Sequence, residues 1–162
     1  MSSSKINVAK QAIDYIKDKL HPDMILGIGT GSTVNFFIEE LGAYKNLFAG
    51  AVSSSEASSN LLNEKGIEVF NLNDVMDIAY YIDGADEVSP NYELIKGGGG
   101  AHTREKIVAS ASNEFLCIVD ETKLVSQLGA FPLPVEVLPE SRSLVARKIV
   151  SMGGTPIYRA GF

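Results

Sequence analysis

The chain has 162 residues, of which 45% are hydrophobic and 21% are charged, as expected for one soluble globular domain or one domain and part of another. The net charge of −6 and the lack of basic clusters argue against a nucleic-acid partner, and charges interrupt residues 1–20 too often for a signal peptide or a membrane span. The single cysteine, Cys117, lies in an apolar run and cannot form an intrachain disulfide, which fits a reducing, cytoplasmic compartment.

Apolar spacing along the first 130 residues predicts helices alternating with strands. An amphipathic helix containing Ile6 and ending near Leu20 comes first. We predict strands at residues 24–27, 48–52, 67–70, 78–82 and 115–119, and helices beginning near residues 34, 57 and 101. This alternation predicts an α/β fold with a doubly wound, mostly parallel, Rossmann-like sheet.

Prolines at positions 132 and 134 mark a change in the pattern. Beyond them we predict a strand at residues 135–138, a helix at 141–152 and another strand starting at residue 156. A unit of about thirty residues is too small for its own core. We therefore assign residues 1–130 to a Rossmann-like catalytic domain and 131–162 to the incomplete βαβ opening of a smaller α+β lobe.

A loop rich in glycine and hydroxyl side chains follows the first predicted strand. It reads Gly27-Ile28-Gly29-Thr30-Gly31-Ser32-Thr33 and leads into a helix. Backbone N–H groups at a helix start and three hydroxyls suit a phosphate, although a simple helix cap remains an alternative. Ser32 replaces the third glycine of a dinucleotide fingerprint, and the lysine of a Walker A loop is missing, which weakens both nucleotide interpretations.

The stretch from Asp83 to Glu105 carries the strongest functional signal. Asp83 and Asp86 follow a buried strand, with Gly84 between them for a sharp turn. Lys96 and four consecutive glycines come next, and bare glycine N–H groups before a helix can bind an anion. Glu105 stands near the start of that helix, where the helix dipole favours its ionised form and suits it to act as a base. This composition indicates proton transfer on a small anionic substrate.

Polar segments follow four predicted strands and are expected to meet in one crevice, because open α/β sheets bind ligands beyond the carboxyl ends of their strands. The segments are residues 30–33, 53–56, 83–86 and 120–123. The serines at 53–55 are expected mainly to cap a helix, with a minor role at the rim of the pocket.

Together these motifs resemble the type A ribose-5-phosphate isomerase family. The resemblance is carried by residues 27–33, by Asp83-Gly84-Ala85-Asp86-Glu87, by residues 96–101 with Arg104-Glu105-Lys106, and by residues 131–137. It implies interconversion of ribose 5-phosphate and ribulose 5-phosphate in the pentose phosphate pathway, without metal or organic cofactor, by a homodimer or higher homo-oligomer.

The resemblance also implies roles for individual residues. Glu105 would move a proton between C2 and C1 through an enediolate, and Lys96 with the nearby glycine N–H groups would stabilise the oxyanion. Asp83 and Asp86 would hold sugar hydroxyls and assist ring opening. The implied substrate-binding residues are Thr30, Gly31, Ser32, Thr33, Asp83, Gly84, Ala85, Asp86, Lys96, Gly97, Gly98, Gly99 and Lys123.

Two departures from the family pattern and two alternatives remain. His102 replaces an apolar residue, either as a bystander or as a charge that perturbs Glu105 at low pH. Family members continue past Phe162, so we expect an incomplete second lobe with reduced stability or activity. The alternatives are a phosphosugar-sensing domain without catalysis and a nucleotide-dependent enzyme in which Glu56 binds a ribose.

Overall fold

A computed structural model describes residues 2–160 and contains a central sheet of four parallel strands. The helices are α1 (Ser2–Ile16), α2 (Ser32–Leu41), α3 (Glu56–Glu64), α4 (Thr103–Ser110) and α5 (Arg142–Ser151). The strands are β1 (Ile25–Ile28), β2 (Gly50–Ser53), β3 (Ile78–Asp83), β4 (Glu87–Val88), β5 (Leu94–Ile95) and β6 (Ser112–Cys117). The sheet order is β2-β1-β3-β6, which confirms the predicted parallel α/β fold.

Helices cover both faces of this sheet. On one face α1 and α2 pack on β1 and β3, and the apolar period of α1 buries Ala9, Ile13 and Ile16 there. On the other face Val108 of α4 packs in a cluster with Tyr81 of β3. Tyr80 and Ile82 of β3 thus lie in the first layer and Tyr81 in the second, as expected from the alternation of side chains along a strand.

Residues 67–70 do not form the predicted full strand. Only Val69 pairs with Ala51 of β2, whose N–H donates to Glu68 and whose carbonyl accepts from Phe70, both at 2.8 Å. The chain then turns into a 3-10 helix at Leu72–Asp74, so pairing along β2 ends after one residue. The antiparallel pair of β4 and β5 was not predicted, because two-residue strands are too short to show a period.

Residues 131–160 also differ from the prediction. The helix is present as α5, but the strands predicted at 135–138 and from 156 do not form. A strand needs a partner for its backbone N–H and carbonyl groups, and no described residue pairs with these segments. Their apolar side chains, such as Leu138 and Ile157, lie exposed instead. The division of the chain after residue 130 stays a prediction.

Several hydrogen bonds tie this segment to the rest of the chain, and one runs from the backbone N–H of Phe131 to Glu87 Oε1 at 2.5 Å. Glu136 accepts a hydrogen bond of 2.8 Å from the backbone N–H of Thr103, the first residue of α4. Arg159 donates one of 3.0 Å to the carbonyl of Gly98. Residues 131–160 therefore brace the loop and helix that carry Lys96 and Glu105. No helix within residues 2–160 is both long and apolar enough to cross a membrane.

Candidate active site

A cavity of about 310 Å³ lies beyond the carboxyl ends of β1, β3 and β6. Every predicted catalytic and substrate-binding residue lines it, from the loop at 30–33 to Lys123. The wall is completed by Lys5, Val34, Ala101, Ile118, Val119 and Asp120. The sheet thus collects residues that lie far apart in the sequence, while their individual roles remain predictions.

The loop before α2 forms one end of the cavity. Gly31 is the residue directly before α2 and adopts φ 109°, a value in the left-handed region that residues with a side chain disfavour. Gly29 lies so close to Asp83 that a Cβ atom there would be 2.0 Å from the carboxyl carbon. The glycines therefore let the loop approach the aspartate. Lys5 of α1 donates a hydrogen bond of 2.7 Å to Ser32, the first residue of α2, and adds a positive charge at this end of the cavity.

Asp83 ends β3 and is almost fully buried. Its Oδ1 accepts hydrogen bonds from the backbone N–H groups of Thr30 at 3.2 Å and Gly84 at 2.8 Å. Its Oδ2 accepts from the Tyr81 hydroxyl at 2.6 Å and from Lys96 Nζ at 2.9 Å. These four donors match the four acceptor positions of a carboxylate. A sugar hydroxyl that binds Asp83 must therefore displace a protein donor or share its acceptor.

Lys96 connects the two buried carboxylates. Its Nζ lies 2.9 Å from Asp83, 3.2 Å from Glu105 Oε2 and 2.6 Å from the carbonyl oxygen of Gly84. Burial lowers the pKa of Lys96, but the Asp83 and Glu105 charges raise it to a net value above the usual one. The side chain is therefore a cation fixed at three points.

Glu105 is the third residue of α4, and its side chain is buried beside Lys96. Burial first, and then the negative charge of Asp83, raise the pKa of Glu105 to about 7, although Lys96 opposes this. A carboxylate with this pKa can accept a proton from carbon and release it again near neutral pH.

The glycine run bends around Asp86. Gly97 and Gly100 adopt φ values of 93° and 85°, so the run makes turns that other residues disfavour. The N–H of Gly98 donates to Asp86 Oδ2 at 2.7 Å. That N–H thus holds Asp86 in place, whereas the predicted role of the glycine N–H groups was to face an oxyanion. The half-buried Asp86 faces the cavity.

The serines after β2 act mainly as a cap, as predicted. Ser55 accepts a hydrogen bond of 3.2 Å from Ser58 N at the start of α3, and its hydroxyl donates to Thr30 Oγ1 at 3.1 Å. Glu56 is exposed and lies 3.7 Å from Arg104. His102 precedes α4 without capping it, and its influence on Glu105 stays untested.

Two functional candidates were missed by sequence reasoning. Lys5 gave no signal beyond its place in an amphipathic helix, because only the packing of α1 on α2 brings it to the loop. Tyr81 read as a core residue of a strand, and the structure aims its hydroxyl at Asp83. Alternation within β3 was the only available hint, because it places Tyr81 and Asp83 on the same face.

The arrangement combines a buried carboxylate of raised pKa, a fixed cation and a loop rich in glycine and hydroxyl groups in one cavity. A base beside a cation can remove a proton next to a carbonyl while the cation stabilises the oxygen that becomes negative. The loop can hold an anionic group away from the reacting carbon. No cluster of three potential metal ligands occurs among His, Cys, Asp and Glu side chains of residues 2–160.

Comparison with known proteins gives consistent matches. Residues 50–161 match the family described as ribose 5-phosphate isomerase A (phosphoriboisomerase A). A curated ribose-5-phosphate isomerase A of Legionella pneumophila (strain Corby) is 57% identical over 162 residues, which are 100% of this chain and 73% of the relative.

Solved structures of related proteins are similar to almost the whole of this chain. The ribose 5 phosphate isomerase A of Neisseria gonorrhoeae is similar with a TM-score of 0.92 and 52% identity, over 99% of this chain and 70% of that one. A D-ribose-5-phosphate isomerase in complex with phospho-erythronic acid has a TM-score of 0.88 and 34% identity, over 99% and 70%. All of these relatives are named as isomerases, which favours an isomerase over a sensor domain.

Proposed function

Because this chain belongs to the ribose 5-phosphate isomerase A family, we propose that it interconverts D-ribose 5-phosphate and D-ribulose 5-phosphate in the non-oxidative pentose phosphate pathway. The observation that carries the proposal is the buried Glu105 carboxylate, 3.2 Å from Lys96, in a cavity whose other end is an anion-binding loop. Phospho-erythronic acid, bound by a related isomerase, is a phosphorylated open-chain acid. Its chemistry supports an open-chain sugar phosphate as the ligand here.

The phosphate is proposed to bind at the loop before α2. The hydroxyls of Ser32 and Thr33 and the first N–H groups of α2 can donate to its oxygens. Lys5 and Lys123 add positive charge on either side. Binding energy from this group positions the sugar, and the chemistry takes place several atoms away.

Glu105 is proposed to be the base. After ring opening, its carboxylate removes the proton from C2 of the aldose, and the electrons of the C–H bond form the enediolate. The protonated Glu105 then returns the proton to C1, while the proton of the C2 hydroxyl passes to the oxygen on C1, which leaves a carbonyl at C2 and gives the ketose. A pKa of about 7 suits both steps, because the group must accept the proton and also release it.

Lys96 is proposed to stabilise the negative oxygen of the enediolate. The ammonium is already held by Asp83 and Gly84, so little reorganisation is needed when the charge develops. Asp86 faces the cavity and is proposed to hold a sugar hydroxyl and assist ring opening. The same two roles were assigned to Asp83, although its acceptor positions are occupied by the protein in this structure.

We also propose that the protein works in the cytoplasm as a homodimer or higher homo-oligomer. Sugar phosphates are charged and are retained inside cells, which supports the location. Exposed apolar side chains in residues 131–160, including Leu133, Leu138 and Met152, support self-association. Light scattering coupled to size-exclusion chromatography measures the assembly, and a monomer at micromolar concentration would contradict it.

The test of the reaction is ketose formation from ribose 5-phosphate. We expect turnover that a chelator leaves unchanged, and a loss of at least about a thousandfold in Glu105→Gln, because an amide cannot act as the base. Glu64→Gln, on an exposed part of α3, is the matched control and should retain full activity.

Two further readouts concern the mechanism. The value of kcat/KM should fall below about pH 7 as Glu105 becomes protonated. In D2O, an enediolate intermediate should incorporate deuterium from solvent at the carbon that is reprotonated. Absence of turnover in the wild type would refute the proposed reaction, and turnover of Glu105→Gln at the wild-type rate would refute the assignment of Glu105 as the base.

A further inference from the structure

Tyr81 lies at the centre of β3 and is completely buried. Its hydroxyl donates a hydrogen bond of 2.6 Å to Asp83 Oδ2. A tyrosine used only for packing could be replaced by phenylalanine without loss, but this hydroxyl reaches into the polar centre of the site. The position of the hydroxyl therefore indicates a role at Asp83 in addition to packing.

The surroundings keep the Tyr81 hydroxyl in the role of donor. The ring packs against Phe115 of β6 with ring centroids 5.4 Å apart and against Val108 of α4. Burial first, and then the charge of Asp83, raise the pKa of Tyr81, while Ser54 has a smaller opposite effect. The phenol is thus protonated at neutral pH and can donate its single proton only once.

The Asp83 oxygen that accepts this proton is also the one that holds Lys96. Asp83 Oδ2 lies 2.6 Å from the Tyr81 hydroxyl and 2.9 Å from Lys96 Nζ, and the same Nζ lies 3.2 Å from Glu105. Together with the two backbone N–H bonds to Oδ1, the bond from Tyr81 sets the rotation of the carboxylate, and Oδ2 with the Gly84 carbonyl then directs the ammonium. Four groups thus form one chain from the core of the sheet to the base.

Resting on the proposed isomerase function, we propose that Tyr81 is a positioning residue that orients the Asp83 carboxylate and, through it, holds Lys96 beside Glu105. Tyr81 does not line the cavity and so acts without touching substrate. Its contribution appears in the transition state, where Lys96 meets the developing negative oxygen. Phosphate binding at the other end of the cavity does not depend on it.

The test is Tyr81→Phe, with Tyr80→Phe as the matched control. Tyr80 is the neighbouring residue of β3, but its side chain belongs to the opposite core layer, near Tyr15 and Lys19. We expect Tyr81→Phe to lower kcat at least about tenfold, the effect of losing a hydrogen bond to a charged group, while KM changes less than about threefold. Tyr80→Phe should leave both constants unchanged.

The pH profile separates positioning from packing. The charged groups around Asp83 are Lys96 from the loop after β5 and Glu105 from α4. The Cys117 thiol of β6 is also close enough to be influenced by the charges of Asp83 and Lys96. Without the Tyr81 donor, the state with both carboxylates ionised is less favourable. The acidic limb of kcat should therefore move to higher pH in Tyr81→Phe and stay in place in Tyr80→Phe.

Two measurements keep the inference separate from the proposed reaction. Carboxyl ¹³C NMR follows the titration of Glu105 without activity, and we expect its midpoint to rise in Tyr81→Phe only. Should that variant not fold, the Tyr81 hydroxyl proton in the wild type provides the test, since a buried hydrogen-bonded proton gives a protected downfield signal.

Each outcome has a distinct meaning. An active wild type with unchanged kcat and pH profile in Tyr81→Phe would overturn the positioning role and leave the reaction intact. An inactive wild type would overturn the reaction, and the NMR titration would still decide the role of Tyr81. A rapidly exchanging Tyr81 hydroxyl would count against the positioning role in either case.

Discussion

Replacing Glu105 by glutamine should change the pH dependence of the free energy of unfolding. The difference between the variant and the wild type should shift in favour of the variant as the pH rises. The folded state raises the pKa of Glu105 from 4.5 to about 7, so the folded protein binds this proton more tightly than the unfolded chain does. The associated stability is fully present below about pH 4.5 and is lost as the pH rises through about 7. Glutamine cannot ionise and removes this dependence.

The magnitude follows from the shift. Each pKa unit corresponds to about 1.4 kcal/mol, so the full shift of Glu105 represents about 3 kcal/mol, most of which is lost between about pH 5 and about pH 8. Solvent that reaches the carboxylate through the open cavity reduces this value. We therefore expect the advantage of Glu105→Gln over wild type to grow by about 2 kcal/mol across this range.

Urea unfolding followed by far-UV circular dichroism measures this difference, and circular dichroism suits a chain without tryptophan. Comparing variant with wild type at each pH removes the contributions of all other titrating groups. Glu64→Gln controls for a generic loss of charge. If the difference between Glu105→Gln and wild type were the same at both pH values, the assigned burial and repulsion at Glu105 would be wrong.

Two further substitutions test the geometry of the loop before α2. Gly29→Ala places a Cβ atom 2.0 Å from the Asp83 carboxyl carbon and should lower the free energy of unfolding by about 3 kcal/mol, whereas Gly42→Ala, with ordinary contacts, should be nearly neutral in the same urea experiment. Lys5→Met should raise KM for ribose 5-phosphate about tenfold with little change in kcat, because it removes a charge from the phosphate end, and an unchanged KM would exclude that contact. Lys10→Met, exposed on the same helix, should match wild type in steady-state kinetics.

Sequence alone predicted the layered fold and most of the residues that line the cavity. The periods of α1 and of the strands follow from burial on one face, so apolar spacing was enough to place them. Glycines and carboxylates directly after strands could be assigned to the sheet edge, because parallel strands end together. The stretch that contains both Lys96 and Glu105 could be singled out without coordinates.

Only the tertiary structure decided how those groups are connected. Two of the four donors on Asp83 come from the loop before α2 and the loop after β5, and no local pattern reveals such long-range bonds. The predicted strands in residues 135–138 and from 156 failed for the same reason, because a strand exists only with a partner. Lys5 reaches the cavity because α1 packs on α2. Tyr81 contacts Asp83 because β3 lies directly below the cavity. Spacing determines which face a side chain occupies, and the fold determines what that side chain meets.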